Sequence, residues 1–173
     1  MNAGLKYALA FALAAGVGHV GTILAAPPAI MHVALGKLSQ DRSVINRFVF
    51  GERVTQQSRN VVRPSPDLAY ASCVYDLSGG PLLVSAAPSP DNGYVSISVF
   101  DARTDNTAGC DTSQFPQGSR FVLAREGQVA PVGYPVVKAN YDTGVILDRR
   151  LAPTAEAFAA ADKARRADSC SPL

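Results

Sequence analysis

The stretch LAYASCVYDLSGGPLLVSAAPSPDNGYVSISVF, residues 68–100, decides the fold class. It contains three short apolar runs, 68–77, 82–87 and 94–100, separated by the turn-forming segments SGGP and PSPDNG. In the last run, strict alternation places Val95, Ile97 and Val99 on one face, which we expect to face the core. The stretch therefore predicts a mainly β domain, an antiparallel sandwich or a barrel-like sheet.

The same pattern continues towards the C-terminus. Residues 121–124, 134–139 and 144–151 are further strand candidates, and the polar segment 101–118 between them is predicted to be a long loop. Residues 154–168 are rich in alanine and contain neither glycine nor proline, so they predict a C-terminal α-helix. Its one large apolar residue is Phe158, which indicates a helix lying lightly on the sheet.

Towards the N-terminus the composition changes completely. The chain has 173 residues, and no charged residue occurs between Lys6 and Lys37. The run from Tyr7 to Ala26 meets the roughly 20 apolar residues that a membrane-spanning helix needs. Pro27 and Pro28 predict a break or a kink, after which residues 30–39 could form a short interfacial helix with apolar positions at Met31, Val33, Ala34 and Leu38.

A cleaved signal peptide is the alternative interpretation, because Lys6 precedes the run and Leu24-Ala25-Ala26 resembles a cleavage site. The run exceeds the 7–15 residues usual for such a segment, which favours an uncleaved anchor. Basic residues are more frequent after the span than before it, and this would place the body in the cytoplasm. Long folded domains are translocated largely regardless of charge, so this rule does not decide the orientation.

Three regions follow from these patterns. We predict a transmembrane anchor with an interfacial helix at 1–41, a basic connector at 42–66, and a periplasmic β-domain with its C-terminal helix at 67–173. The connector holds five arginines and one glutamate, and its apolar patch Phe48-Val49-Phe50 could dock onto the body. Its arginines are suited either to anionic lipid headgroups of the bilayer or to plain solvation.

The charge balance of the body excludes one class of partner. Residues 38–173 carry 14 basic and 14 acidic side chains, and the whole chain has a formal net charge of +2. Nucleic-acid binding proteins concentrate basic residues on one surface. We therefore expect no nucleic-acid partner.

The segment RPSPDLAYASCVYDLSGGPLLVSAAPSPDNGYVSISVFDARTDNTA resembles the core of the bacterial domain-of-unknown-function 1254 family. That family carries a Pro, an Asp and a Tyr before an Asp-Leu-Ser-x-Gly-Pro turn, and then a strand that ends in Asp with a nearby Asp/Asn pair. The matching positions here are Pro64, Asp67, Tyr70, Asp76, Leu77, Ser78, Gly80, Pro81, Tyr94, Asp101, Asp105 and Asn106.

The layout is similar to the short, single-span branch of this family in proteobacteria. The resemblance implies a β-sandwich-like or barrel-like fold, a place at the bacterial inner membrane with the C-terminal domain in the periplasm, and a disulfide between Cys73 and Cys170. Cys110 departs from the branch and leaves Cys73–Cys110 as an alternative pairing. The family has no settled biochemical role, so the resemblance implies no activity.

Catalytic constellations are poorly represented in the sequence. The two histidines, His19 and His32, lie in or beside the apolar run, so the body has none for a catalytic triad or a zinc site. Carboxylates at Asp67, Asp76, Asp101 or Asp105 could form an acid–base pair, but aspartates in such settings usually cap turns. Calcium at Asp101, Asp105 and Asp111 is a further hypothesis, opposed by Arg103 among them. We predict no enzyme, no cofactor and no metal.

Small residues line one face of the predicted span. Ala14, Gly18, Thr22 and Ala26 recur at every fourth position, which allows a second helix to approach closely. His19 lies at the edge of this face, where it could bond to a neighbouring helix or, alternatively, ligate a haem or a chlorin. We therefore predict a membrane-protein partner that contacts this face.

The functional prediction combines the anchor with the lack of a catalytic motif. We expect a membrane-anchored periplasmic accessory protein, a non-catalytic subunit of a larger membrane or envelope assembly. The alternative is a tethered ligand-binding or hydrolytic β-domain, with a pocket where Asp67, Tyr70, Asp101 and Asp105 converge.

Overall fold

The structure is a computed structural model, and it describes residues 2–59 and 63–173. Nine strands and two α-helices make up these residues, together with a short 3-10 turn at Pro90–Asn92. In chain order they are α1 Ala3–Leu38, β1 Phe48–Phe50, β2 Leu68–Asp76, β3 Leu82–Ala86, β4 Val95–Asp101, β5 Asn106–Asp111, β6 Ser119–Arg125, β7 Val136–Ala139, β8 Thr143–Leu151, α2 Ala155–Arg165 and β9 Ser169–Pro172.

The strands form two sheets that pack face to face. The five-stranded sheet has the order β1-β2-β8-β4-β5, and all its pairs are antiparallel. The four-stranded sheet has the order β7-β6-β3-β9 and includes one parallel pair, β6 with β7. One core cluster takes side chains from both sheets, such as Ile97 and Ile146 from the first and Val84 and Leu123 from the second. The architecture is thus a β-sandwich, as the sequence predicts.

The core face predicted for β4 is confirmed by its packing, although burial itself does not alternate, since Ser96 and Ser98 are buried as well. Val95, Ile97 and Val99 are buried, and Ile97 and Val99 belong to the core between the sheets. Phe100 lies on the opposite face and packs against a second cluster, which includes residues of α1. Both faces of this sheet are therefore covered in part, one by the other sheet and one by a helix.

Three strands lie where the sequence predicts none. β5 occupies the middle of the predicted loop 101–118, and it pairs with β4 through Val99↔Ala108 and Ile97↔Cys110. β9 follows the C-terminal helix, and β1 is the apolar patch of the basic connector, paired with β2. These strands are short, and β5 and β9 are largely polar, so their pairing depends on neighbouring strands more than on their own apolar pattern.

Of the break or kink predicted at Pro27-Pro28, the break is wrong, because α1 is continuous from Ala3 to Leu38 with both prolines inside it. A proline inside a helix leaves the carbonyl four residues earlier without its usual amide donor. For Pro28 this is the Leu24 carbonyl, and Nη2 of Arg103, in the β4–β5 turn, lies 3.4 Å from its oxygen. A side chain of the domain thus replaces a donor that the proline removes.

The last third of α1 is part of the domain. Met31 and Ala34 are buried against Val74 of β2 and Val145 of β8. The preceding residues are long and apolar enough to cross a membrane, and none of that window is buried within the protein. One helix therefore joins an exposed apolar segment to the outer face of the five-stranded sheet.

α2 begins at an N-cap formed by Thr154, whose hydroxyl accepts a hydrogen bond from the Ala157 amide. It packs through small residues, since Ala161 contacts Ala69 of β2 and Ala152 in a cluster that Phe158 borders. The helix therefore lies on the same sheet as α1, and it leads directly into β9.

Candidate functional site

The aspartates of the family motif close turns in this structure. A carboxylate oxygen of Asp76 accepts the Ser78 amide at 3.0 Å, and Arg42 forms an ion pair with its other oxygen at 3.2 Å. The hydrogen bond from Ser78 and the Arg42 guanidinium hold the pKa of Asp76 below its usual value. Gly80, in the same turn, has a φ of +131°, which favours glycine.

Asp101 has a similar role in the β4–β5 turn. It is buried, and its Oδ1 accepts the amides of Arg103 at 2.8 Å and Asp105 at 3.1 Å. Asp105 is exposed, and its carbonyl oxygen accepts the Asp101 amide. Asn106 begins β5 and pairs with Phe100. The calcium hypothesis gains no support, since the described residues contain no group of three or more potential metal ligands.

The predicted carboxylate-lined pocket is not assembled. Asp67 immediately precedes β2 and Tyr70 lies near its start, where the Tyr70 hydroxyl accepts the Ser65 amide at 2.9 Å. Asp101 and Asp105 lie at the end of β4 and beyond it. Leu68 pairs with Leu151 at one end of β8, and Asp101 pairs with Gly144 near the other. At about 3.3 Å per residue, these two ends are roughly 20 Å apart.

A buried charge cluster, which the sequence analysis missed, connects the two sheets. Nε of Arg150 lies 3.1 Å from a carboxylate oxygen of Asp148, and its Nη2 lies 2.8 Å from one of Asp168. All three side chains are fully buried. Burial raises the pKa of Asp148 to about 7, although Arg150 opposes the shift, and burial also raises the pKa of Asp168. The sequence of β8 contains a signal for this cluster, because Ile146, Asp148 and Arg150 stand at every second position and therefore share the buried face of the strand.

A second buried arginine holds α2 and β1 on the sheet. Arg165 is fully buried, and it donates hydrogen bonds to the carbonyl oxygens of Tyr70 and Gly51. Its guanidinium lies 5.7 Å from the ring centre of Phe50 and 5.3 Å from that of Phe158. Burial alone would raise the pKa of Asp162, but hydrogen bonds from Arg165 and Arg166 outweigh it and lower that pKa.

The cysteines divide into one bridge and one free thiol. Cys73 on β2 and Cys170 on β9 form a disulfide between the two sheets, which is the pairing that the resemblance implies. Cys110 on β5 is free and half-buried, and burial raises the pKa of its thiol. It therefore stays protonated at neutral pH and reacts slowly.

A cavity of about 250 Å³ lies at the open edge of the sandwich, between β5 of one sheet and β6 and β7 of the other. Its walls include Ile97, Val99, Phe115, Phe121 and Val137, together with Cys110 and Ser119. The four residues predicted to form a pocket do not line it. Sequence reasoning missed this site because β5 was not predicted.

The predicted helix face is exposed along α1. Ala14, Gly18, Thr22 and His19 are exposed, and Ala26 is half-buried where the helix nears the domain. The Thr22 hydroxyl donates to the Gly18 carbonyl oxygen at 2.8 Å, so it is satisfied within the helix. A Cβ added at Gly16 or Gly18 meets no atom within 4 Å. This face is free to accept a neighbouring helix.

Together these features define a two-sheet β-sandwich domain that carries a long apolar N-terminal helix. The family model for proteins of unknown function designated DUF1254 matches residues 45–172, and the chain belongs to this family. No curated protein matches the chain.

Two solved structures are similar to it. The crystal structure of the VPA0106 protein from Vibrio parahaemolyticus has a TM-score of 0.66 and 14% sequence identity, with 84% of this chain and 35% of that protein covered. A crystal structure of a putative uncharacterized protein from Burkholderia cenocepacia has a TM-score of 0.46 and 16% identity, with 83% and 38% covered. The chain thus spans little more than a third of either protein, and the first likeness shows the fold alone.

Proposed function

We propose that this protein is a non-catalytic accessory subunit, anchored by α1 in the bacterial inner membrane, whose β-sandwich lies in the periplasm. One observation carries the proposal: α1 is a single helix, apolar and exposed over its first two thirds and packed on the sheet through Met31 and Ala34. A helix docked in this way holds the domain in a fixed orientation to the bilayer. That geometry suits a subunit which presents one surface to a membrane partner.

The small-residue face of α1 is the proposed contact with that partner. Helices in lipid associate through close packing at small residues, since lipid tails provide no hydrophobic driving force between them. Ala14, Gly18 and Thr22 offer such a surface, and none of them is covered by the rest of the chain. His19, beside Gly18, would find a hydrogen-bond partner across the interface rather than a cofactor.

Two further observations support the remaining parts of the proposal. The Cys73–Cys170 disulfide is typical of proteins in oxidising compartments, which favours the periplasm over the cytoplasm. The buried charged groups Arg150, Asp148 and Arg165 bond to one another or to the protein backbone. Their roles are structural, and this favours a non-catalytic domain.

The test is a matched pair of glycine substitutions in α1. Gly18→Leu should abolish co-purification of the membrane partner from gently solubilised membranes, while Gly16→Leu, on another side of the helix, should retain it. Apart from the neighbouring backbone of α1 itself, neither leucine meets a described atom within 4 Å at its Cβ, so both variants should fold and insert alike. Equal co-purification with both variants would rule out this face as the contact.

The placement of the β-sandwich in the periplasm and the uncleaved anchor are tested separately. A reporter that is active only outside the cytoplasm, fused after Leu173, should be active, and mass spectrometry of the purified protein should find the N-terminus intact. A chain that begins at or after Pro27 would establish the signal-peptide alternative instead.

The cavity at the sandwich edge favours a second function, ligand binding, which concerns a different surface.

A further inference from the structure

The cavity between β5, β6 and β7 has the shape and chemistry of a small-molecule pocket. It is half-enclosed, and its walls are the side chains of Ile97, Val99, Phe115, Phe121 and Val137. Sites of this kind are typically apolar with few polar groups. One water molecule occupies roughly 30 Å³ in the liquid, so a cavity of 250 Å³ has room for about eight groups of that size. This is room for one alkyl chain of medium length.

Four of the residues that line the cavity carry polar side chains: Gln114 and Arg120 are exposed, whereas Cys110 and Ser119 are half-buried. The Oγ of Ser119 is buried, and apart from a weak contact with the Cys110 thiol it has no hydrogen-bond partner among the described atoms. Buried hydroxyls usually have a partner, so the Oγ of Ser119 lacks one that a ligand could supply. The polar group beside Ser119 is the Cys110 thiol, and burial raises the pKa of that thiol.

A charged ligand end is disfavoured at this position. Ser119 and Phe121 alternate with Arg120 along β6, so Arg120 belongs to the opposite face of the strand. There its guanidinium stacks on the Tyr134 ring, 5.1 Å from the ring centre. Arg120 is a lining residue, but its side chain is exposed and stacked on Tyr134, so a carboxylate buried next to Ser119 would lack a buried counter-ion, which is costly.

We propose that this cavity binds a neutral single-chain amphiphile, an alkyl chain of about eight carbons that ends in a hydroxyl or carbonyl group. The chain fills the space among Val99, Phe121 and Val137, and its oxygen forms a hydrogen bond with Ser119. The proposal does not depend on the membrane partner, because Gly18 does not line the cavity.

Cys110 provides the measurement. With Cys73 and Cys170 joined, it is the one thiol of the chain, and it lines the cavity. The full chain in lipid nanodiscs is treated with iodoacetamide in the presence of 1-butanol, 1-hexanol, 1-octanol or 1-decanol, at known free concentrations. The labelling rate is followed by mass spectrometry, and the ratio of rates without and with the alcohol reports occupancy.

Protection should be saturable and should strengthen about fourfold for each added methylene, then level off near eight carbons when the cavity is full. Octanoate should protect much more weakly than 1-octanol. No protection by 1-octanol, or equal protection by octanoate, would overturn the proposal. An increase in strength that continues without a limit would indicate partition into the bilayer and would also overturn it.

Two variants assign the effect to the cavity. Ala108→Leu places a larger side chain in the wall and should abolish protection, while Ala160→Leu, on the exposed side of α2, should leave it unchanged. Ser119→Ala should weaken protection by 1-octanol several-fold, and it keeps the cavity open if Ala108→Leu does not fold. Full protection in Ser119→Ala would overturn the proposal. Slower labelling at higher protein concentration without alcohol would also overturn it, because it would indicate that a second copy of the chain covers the cavity.

Discussion

Nη2 of Arg150 lies 2.8 and 2.9 Å from the two carboxylate oxygens of Asp168, with no solvent exposure on either side chain. This pair joins β8 of one sheet to the residue that precedes β9 of the other. Asp148 approaches the same guanidinium at 3.1 Å. One positive charge thus faces two carboxyl groups away from solvent, so the three cannot all be ionised without one uncompensated negative charge.

This arrangement predicts that stability falls as pH rises. The pKa of Asp148 is about 7 in the folded protein against an ordinary value of 3.8. Between about pH 4 and pH 7, Asp148 therefore holds a proton in the folded state that it releases in the unfolded chain. Each unit of pH in this range lowers the free energy of unfolding, until Asp148 ionises in the folded state as well. From pH 5 to pH 8 we expect a loss of roughly 2–4 kcal/mol in the free energy of unfolding, measured by urea denaturation.

Asp148→Asn should make this profile much flatter, since the amide does not titrate. Some slope should remain, because burial also raises the pKa of Asp168. Asp142→Asn is the matched control: Asp142 is 58% exposed and forms a surface ion pair with Arg125, so this variant should keep the wild-type slope. A wild-type slope in Asp148→Asn would contradict the assignment.

The sequence predicts those parts of the fold that have a strong apolar pattern. Val95, Ile97 and Val99 identify β4 and its core face, because each inward position carries a branched apolar side chain. β5 has the sequence NTAGCD, in which no such pattern exists, and its position depends on β4 beside it. Two charged residues in β8 face the core because Asp168, 18 residues beyond Arg150, supplies the opposite charge. Long-range pairing of this kind cannot be read from one strand alone.

Removing the disulfide should destabilise the domain substantially. Cys73 and Cys170 are 97 residues apart and belong to different sheets, so the bridge restricts a long loop in the unfolded chain. The double variant Cys73→Ala/Cys170→Ala should lose up to about 4 kcal/mol of unfolding free energy in the chain-entropy account. Reduction of the wild-type protein should have a similar effect. Cys110→Ala should change stability little, and a comparable loss in that variant would contradict the prediction.

Replacing the buried guanidinium of Arg165 should loosen the contact of α2 and β1 with the sheet. Lysine cannot reproduce its simultaneous bonds to Tyr70, Gly51 and Asp162, nor its stacking on two rings. Arg165→Lys should cost roughly 2–4 kcal/mol of unfolding free energy, measured by urea denaturation.

Arg166→Lys is the control for this substitution. Arg166 also stacks on Phe50 and pairs with Asp162, but its side chain is 56% exposed. Exposed pairs contribute little, so this variant should differ from wild type by about 0.5 kcal/mol or less. Equal losses of unfolding free energy in Arg165→Lys and Arg166→Lys would contradict the prediction, because they would show that the buried contacts of Arg165 add no stability beyond that of an exposed arginine.

The contact between α1 and the sheet should respond to a polar side chain at Met31. Met31 is 5% exposed and packs against the sheet, whereas Val33, two residues later, is 56% exposed. Met31→Asn removes an apolar contact and buries an amide, which should weaken docking by roughly 2 kcal/mol. Local opening of the segment that follows α1 should then rise about 30-fold, since 1.4 kcal/mol corresponds to a factor of ten.

Trypsin cleavage of the nanodisc-bound protein after Arg42 and Arg47 measures this opening. Both arginines lie between α1 and β1, and Arg42 is held by its ion pair with Asp76. Met31→Asn should be cleaved about 30-fold faster there than wild type. Val33→Asn carries the same new group on the exposed side of the helix and should be cleaved at the wild-type rate. Equal cleavage of the two variants would mean that α1 does not hold the domain, and the fixed orientation inferred from its docking would then be wrong.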